Sequence, residues 1–526
     1  MRDFHQPGRS PVIASNGICA TSHPLAAKTA VSVLEAGGNA VDAAIAGAVL
    51  LGFCEPQMTG LGGDCFVLVK PAGSEAVIAL NGSGRAPAAL DAAKLRERGL
   101  GAVPIGGAEA VTLPGAVDAF CRLSEAHGRW GLDQVLAPAI HYAQEGVPVA
   151  PRVAFDWAEG AATLKGAARA AFLLSGKPPV PGQIFRAAGQ AEVLRRIAKD
   201  GRRAFYEGEV AEDMLAALRA AGGVHSAEDF AAVEASWGAP ISGSYRGVEL
   251  VEHPPNGQGA TALLLANILA EFDLAALDPL GAERVHLEAE ATKLAYDARN
   301  RFIADPDHVT RLDHMLAPKT ARALAALIRP DRVLPDPRAA SEAVHKETIY
   351  LSVVDRDRMA VSLIYSIYHS FGAGIASDRF GLLLHNRGAG FTLEEGHPNE
   401  AMGGKRPLHT IIPAMLKTEG RVTMSFGVMG GAYQATGHVR FLSNLVDYGM
   451  DPQAALDAPR AFADAEGLKL ERGYAPKLRR ALEALGHRVI VPESPLGGGQ
   501  AIGIEPQAGV LVAGSDPRKD GCAIGY

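Results

Sequence analysis

The chain has 526 residues, 48% of them hydrophobic and 21% charged, with a formal net charge of −7. That length can bury a large core, and the mild acidity argues against the basic surface that a nucleic-acid partner needs. Five scattered cysteines (Cys19, Cys54, Cys65, Cys121 and Cys522) without a C-x-x-C pair point to free thiols in a reducing compartment.

The N-terminus carries no apolar signal core, so a cytoplasmic location is expected. Residues 23–36 read as a helix that starts after Ser22 and stops at Gly37-Gly38. Residues 39–51, apolar nearly all round, read as a second, buried helix. The longest apolar run, 40–53, contains Asp42 and is too short to span a bilayer, so no membrane partner is expected. Strands at 65–69 and 76–80 should pair, with a loop over 81–87. Residues 116–230 read as mainly helical, broken at 148–151 and 178–182. A strand at 247–253 and helices at 260–272 and 282–302 follow; in the last, Leu287, Ala291, Leu294, Ala295, Ala298 and Phe302 share one face.

Residues 329–346 are charged, Pro-rich and poor in apolar side chains, the composition of an exposed linker. From Thr348 the texture changes to strands. Residues 348–354 and 359–365 read as a hairpin, with further strands expected near 382–385, 410–416, 422–426, 488–491, 501–505 and 510–513. Both halves supply helices and strands, so one layered α/β core shared between them is expected.

Thr348 opens a strand immediately after the linker, and Gly430-Gly431 follows another strand-like run. A threonine freed at a chain start can use its own α-amine as base, and paired glycines can aim two N–H groups at an oxyanion. Taken alone, Thr348 is also what an ordinary strand threonine looks like, and Gly430-Gly431 what a tight turn looks like. The wider pattern decides between these. It runs through Gly37-Gly38-Asn39-Ala40-Val41-Asp42-Ala43-Ala44, Leu61-Gly62-Gly63, Pro114-Gly115 and Leu136-Ala137-Pro138-Ala139. It continues through Thr348 to Asp355, Phe371-Gly372-Ala373-Gly374, Lys405-Arg406-Pro407-Leu408, Gly430-Gly431 and the terminal Ser515-Asp516-Pro517-Arg518. With these motifs the chain resembles, nearly end to end, the γ-glutamyltransferase (glutathione hydrolase) family of N-terminal-nucleophile hydrolases.

The resemblance implies a four-layer αββα sandwich built jointly from both halves of a self-cleaved precursor. The cut would fall between Glu347 and Thr348, giving a large chain 1–347 and a small chain 348–526 that stay associated. Thr348 would be the nucleophile, Gly430 and Gly431 the oxyanion donors, and Ser366 would replace a second threonine that bonds the nucleophile's amine. A homodimer of the processed unit is compatible with the family. No cofactor and no metal are implied: H-E-x-x-H is absent, and Gly257 to Ala262, which fits G-x-G-x-x-A, lies outside any βαβ unit.

Substrate recognition departs from the family pattern. Ser83 stands where the family's carboxylate-binding arginine is expected, with Arg85 two residues on. Gly390 replaces the aspartate that holds the α-ammonium, His409-Thr410 replaces paired serines, and Tyr368 replaces an asparagine. Arg85 and Arg387 remain as carboxylate clamps, with Tyr368, His409 and Thr410 lining the site. The expected substrate is therefore a small amide whose acyl group bears a carboxylate but no α-amine, as in the branch that includes oxamate amidohydrolase and cephalosporin (glutaryl) acylases. A true γ-glutamyl hydrolase or transferase is the alternative, and an uncleaved, non-catalytic binding relative the more distant one.

Overall fold

The computed structural model describes residues 4–5, 8–334 and 348–526, so Glu347 and most of the expected linker lie outside the described residues. Two seven-stranded sheets, antiparallel throughout, form the centre. Sheet I runs in the order Val12–Ala14, Val510–Ser515, Gly498–Glu505, Arg421–Met429, Ala414–Thr418, Val248–Glu252 and Ile241–Tyr245. Sheet II runs Cys522–Gly525, Ile18–Thr21, Ile349–Val354, Ala360–Ser366, Asp64–Lys70, Ile78–Gly82 and Ser236–Gly238. Each sheet takes strands from both sides of residue 347, so neither half could complete a sheet alone.

Three apolar layers hold the stack together. Helices Pro24–Glu35, Ala40–Cys54, Ala116–His127 and Leu132–Glu145 cover the outer face of sheet II. Helices Gly259–Leu269, Ala282–Phe302 and Gln434–Val446 cover sheet I. Between the sheets lie Leu68, Val251, Val354, Met415 and Ile502, with Phe66, Tyr350, Ile364, Ile411 and Met429 nearer the site. The architecture is the expected αββα sandwich. No described helix is long and apolar enough to cross a membrane.

Local chemistry explains the elements that carry the site. Asn39 caps helix Ala40–Cys54 through a capping box with Asp42, worth about 1 kcal/mol. Every residue of that helix is buried, and its Gly47 leaves room for Leu351, since a Cβ there would come within 2.7 Å of the leucine side chain. The expected hairpin forms as Ile349–Val354 and Ala360–Ser366, with Ile349 opposite Tyr365 and Val354 opposite Ala360.

Two expected strands do not form as read. The segment 382–385 makes only isolated bridges, Gly62 to Leu384 and Ala376 to Leu383, because its neighbours turn at Gly372, Gly374 and Gly381, all at positive φ. The strand expected over 410–416 begins at Ala414. Before it, Ile412 donates its N–H to Gln434 Oε1 at 3.0 Å and the Thr410 hydroxyl meets Arg387, so this stretch serves the site instead of a ladder.

Candidate active site

The site forms at one end of sheet II. The strand register, continued by one residue, sets Thr348 opposite Ser366 and Ser83 opposite Asp64, while Ser366 pairs directly with Asp64. Thr348, Ser366, Asp64 and Ser83 therefore form one row across four adjacent strands, about 14 Å from end to end at the usual strand spacing. Thr348 is 1% exposed and Ser366 fully buried. The Thr348 hydroxyl donates to Ser366 Oγ at 3.1 Å, and that oxygen also accepts the Tyr368 N–H at 2.9 Å. Gly63 is required beneath this pair, because a Cβ there would lie 2.4 Å from the Ser366 carbonyl.

Gly430 and Gly431 turn the chain from strand Arg421–Met429 into helix Gln434–Val446. Their φ values, +121° and +56°, lie where side-chain-bearing residues are strained. The turn is braced from outside by Gln258, whose Nε2 donates to Gly431 O at 3.0 Å and to Thr410 O at 2.7 Å. Arg299 Nη1 in turn donates to Gln258 Oε1 at 3.0 Å. The sequence shows Gln258 only inside the G-x-G-x-x-A match at 257–262; the brace becomes visible in three dimensions.

Asp64 is the residue that the sequence reading missed. Its Oδ2 accepts from His409 Nε2 at 2.9 Å and Arg387 Nε at 3.3 Å and lies 3.1 Å from His385 Nδ1, while Oδ1 accepts the Gly84 N–H at 3.0 Å. Burial works against its charge, but His385 and His409 outweigh burial and hold the carboxyl far below the usual carboxylate range. Burial and the Arg387 charge push His409 down to about 3, so its ring is neutral. Its Nδ1 accepts the Ile411 N–H at 3.3 Å, which leaves the proton on Nε2, facing Asp64. His409, expected beside the substrate, has both ring nitrogens committed to protein groups. One signal for Asp64 was available: it follows Leu61-Gly62-Gly63 directly and opens a strand buried throughout.

Arg387 is fully buried. Its Nη1 donates to Thr410 Oγ1 at 3.2 Å, and its guanidinium carbon lies 4.1 Å from the centre of the Tyr368 ring. Nη2 is buried without an acceptor among the described residues. Burial lowers the Arg387 pKa, opposed by Asp64. Thus Tyr368, Arg387, His409 and Thr410 come together around Asp64. Arg85 does not join them: it donates to Asp305 Oδ2 at 3.3 Å and Gly404 O at 2.8 Å, and its side chain is 43% exposed. Gly390 has no room for an aspartate without backbone movement, since a Cβ there would lie 2.6 Å from Leu408 O.

One trio of metal-capable side chains, His286, Glu290 and His487, also meets among the described residues. Its donor atoms already have protein partners. His286 Nδ1 and His487 Nε2 share a hydrogen bond at 2.7 Å, and Glu290 accepts from Lys293 Nζ and the Leu334 N–H, each at 2.6 Å.

Comparison with known proteins identifies the family of the chain. The family model described as gamma-glutamyltranspeptidase matches residues 26–526. The glutathione hydrolase-like YwrD proenzyme of Bacillus subtilis is 36% identical over 98% of this chain and 99% of its own. The oxamate amidohydrolase proenzyme of Klebsiella pneumoniae is 32% identical over the same shares. The crystal structure of a cephalosporin acylase from Bacillus halodurans superposes with a TM-score of 0.93 at 36% identity, covering 100% of this chain and 99% of that one. The chain belongs to the gamma-glutamyltranspeptidase family.

Proposed function

We propose that this protein is an amide hydrolase that matures by cleavage between Glu347 and Thr348 and then uses Thr348 as an N-terminal nucleophile. The observation that carries the proposal is the buried Thr348 hydroxyl, 3.1 Å from Ser366 Oγ. In the mature enzyme the neutral α-amine of Thr348, with a reference pKa of about 7.7–8.0, takes the hydroxyl proton. Oγ1 attacks the amide carbonyl, and the N–H groups of Gly430 and Gly431 hold the oxyanion. The C–N bond breaks, the amine leaves with the proton, and water hydrolyses the acyl ester. In the precursor the same oxygen attacks the Glu347 carbonyl. Chains 1–347 and 348–526 remain one body because both sheets interleave their strands.

The acyl group bears a carboxylate and no α-amine. Arg387 supports this reading, since its buried Nη2 lacks an acceptor among the described residues while Asp64 and Thr410 fix the rest of the guanidinium. An α-ammonium would meet that guanidinium and would find no carboxylate at Gly390. Oxamate and glutaryl amides fit this description.

Two measurements test the proposal. On a denaturing gel the purified protein should give fragments of 347 and 179 residues, the latter being 526 − 347, and Thr348→Ala should leave one band and no activity. A single persistent band from the wild type would favour an uncleaved binding protein. Glutaryl-p-nitroanilide and oxamate should be hydrolysed faster than γ-glutamyl-p-nitroanilide; the reverse order would make the protein a γ-glutamyl hydrolase and sink the substrate assignment.

A further inference from the structure

We infer that the cavity beside Arg85 and Arg406 is a second anion site, built to take a carboxylate. The cavity measures about 580 Å³ and is lined by the two arginines together with Ser83, Leu113, Glu234 and Trp237. Arg406 is only 4% exposed. Its Nε donates to Ser83 O at 2.8 Å and its Nη2 to Glu234 O at 3.1 Å, both backbone carbonyls. No ion pair joins its guanidinium to a carboxylate among the described residues. Asp305 Oδ2 accepts Arg85 Nη1 at 3.3 Å but meets Arg406 only through its backbone N–H, at 2.7 Å. Arg85 thus takes the Asp305 carboxylate, while the Arg406 guanidinium bonds only backbone carbonyls among the described residues.

The other charges on the wall are already matched. Arg122 pairs with Asp118 at 2.8 Å and Glu234 at 2.9 Å, and Asp229 accepts the N–H groups of Ala88 and Ser226, each at 2.9 Å. Burial and the Arg85 charge push Arg406 down to about 10, against the opposing charges of Asp305, Asp64 and Asp307. A buried guanidinium without a direct ion-pair partner is costly, and a carboxylate across its fork is the ligand that offsets the cost best.

The inference extends the proposed function. Arg387 takes the acyl carboxylate beside Asp64. Ser83, which holds Arg406 Nε, is one strand farther along the same row, and the Gly84 N–H links that loop to Asp64 Oδ1 at 3.0 Å. The second carboxylate is either another group on the substrate or a free small dicarboxylate; the recognising chemistry is the same.

Sodium malonate is the probe. Its binding to the purified protein is measured calorimetrically at fixed ionic strength for wild type, Arg85→Gln, Arg406→Gln and Arg387→Gln. Loss of a charge-assisted bond should weaken malonate about tenfold or more in Arg85→Gln and Arg406→Gln, while Arg387→Gln keeps this site. If malonate binding is lost only in Arg387→Gln, the acyl clamp stands and the second site is refuted. If wild type binds no malonate, the second site is refuted as well, and the glutaryl and γ-glutamyl comparison still judges Arg387 separately. Should Arg406→Gln fail to fold, half-exposed Arg85 decides. Competitive inhibition by malonate that Arg85→Gln removes would assign the carboxylate to the substrate; a change in kcat without competition would assign it to a free ligand.

Discussion

At the scale of single residues the site turns on Asp64. Asparagine at that position keeps the shape and removes the charge, leaving Arg387 buried without a carboxylate partner. Removing one member of a buried pair typically costs about 3–5 kcal/mol. Asp64→Asn should therefore lower the urea midpoint and raise KM for a glutaryl amide, because the clamp loses its anchor at Nε. An unchanged midpoint and KM would show that Asp64 does not hold Arg387. The sign with pH follows from the depressed carboxyl. The stability it supplies is present above its unfolded value near 3.9 and is lost as pH falls through the much lower folded value. The gap between wild type and Asp64→Asn should thus persist from neutral pH through mild acid and close only in strong acid.

At the scale of elements, the Gly430-Gly431 turn depends on a neighbour outside its own strand and helix. Gln258→Leu keeps the bulk near the turn but removes both donors, to Gly431 O and Thr410 O. If the turn presents the oxyanion donors, loosening it should cut kcat by about tenfold while KM changes little, since removing such a donor outright costs about 10²–10³. An equal loss in kcat and thermal stability with a changed KM would point to a packing role instead. This dependence also marks the limit of what the sequence discloses. Helices with an apolar face or a clear start and stop were legible: residues 282–302 form the helix as read, and 23–36 lies within a residue of Pro24–Glu35. The hairpin after Thr348 was legible from alternation. The short strands Val12–Ala14, Ile18–Thr21 and Cys522–Gly525 were not, because three or four residues carry too little pattern and their partners lie hundreds of residues away. Asp64 failed for the same reason. An aspartate at a strand start looks like a turn residue until Arg387 and His409, more than 300 positions on, arrive beside it.

For the molecule as a whole, the two chain ends are clasped at a buried acid. Glu55, at the end of helix Ala40–Cys54, accepts the Ser22 hydroxyl and feels Lys519 and Asp520 near the C-terminus. Lys519 Nζ donates to Asp156 Oδ2 at 3.2 Å, and Asp520 accepts the backbone N–H groups of Arg152 and Val153, so the clasp draws in the helical layer too. Burial, opposed by Lys519 and Ser22, raises the Glu55 carboxyl to about 7. A raised acid is protonated more readily in the folded state than in the unfolded one. Its contribution is therefore fully present below the unfolded value near 4.3 and is lost as pH rises through about 7. Over that window the loss is on the order of 3 kcal/mol for a fully buried group. Glu55→Gln removes the titration while keeping an acceptor for Ser22. The wild type should lose thermal stability between about pH 4 and about pH 8 by an amount that Glu55→Gln does not lose. Parallel Tm profiles for the two proteins across that range would show that Glu55 stays ionised and that the clasp is held by its charge.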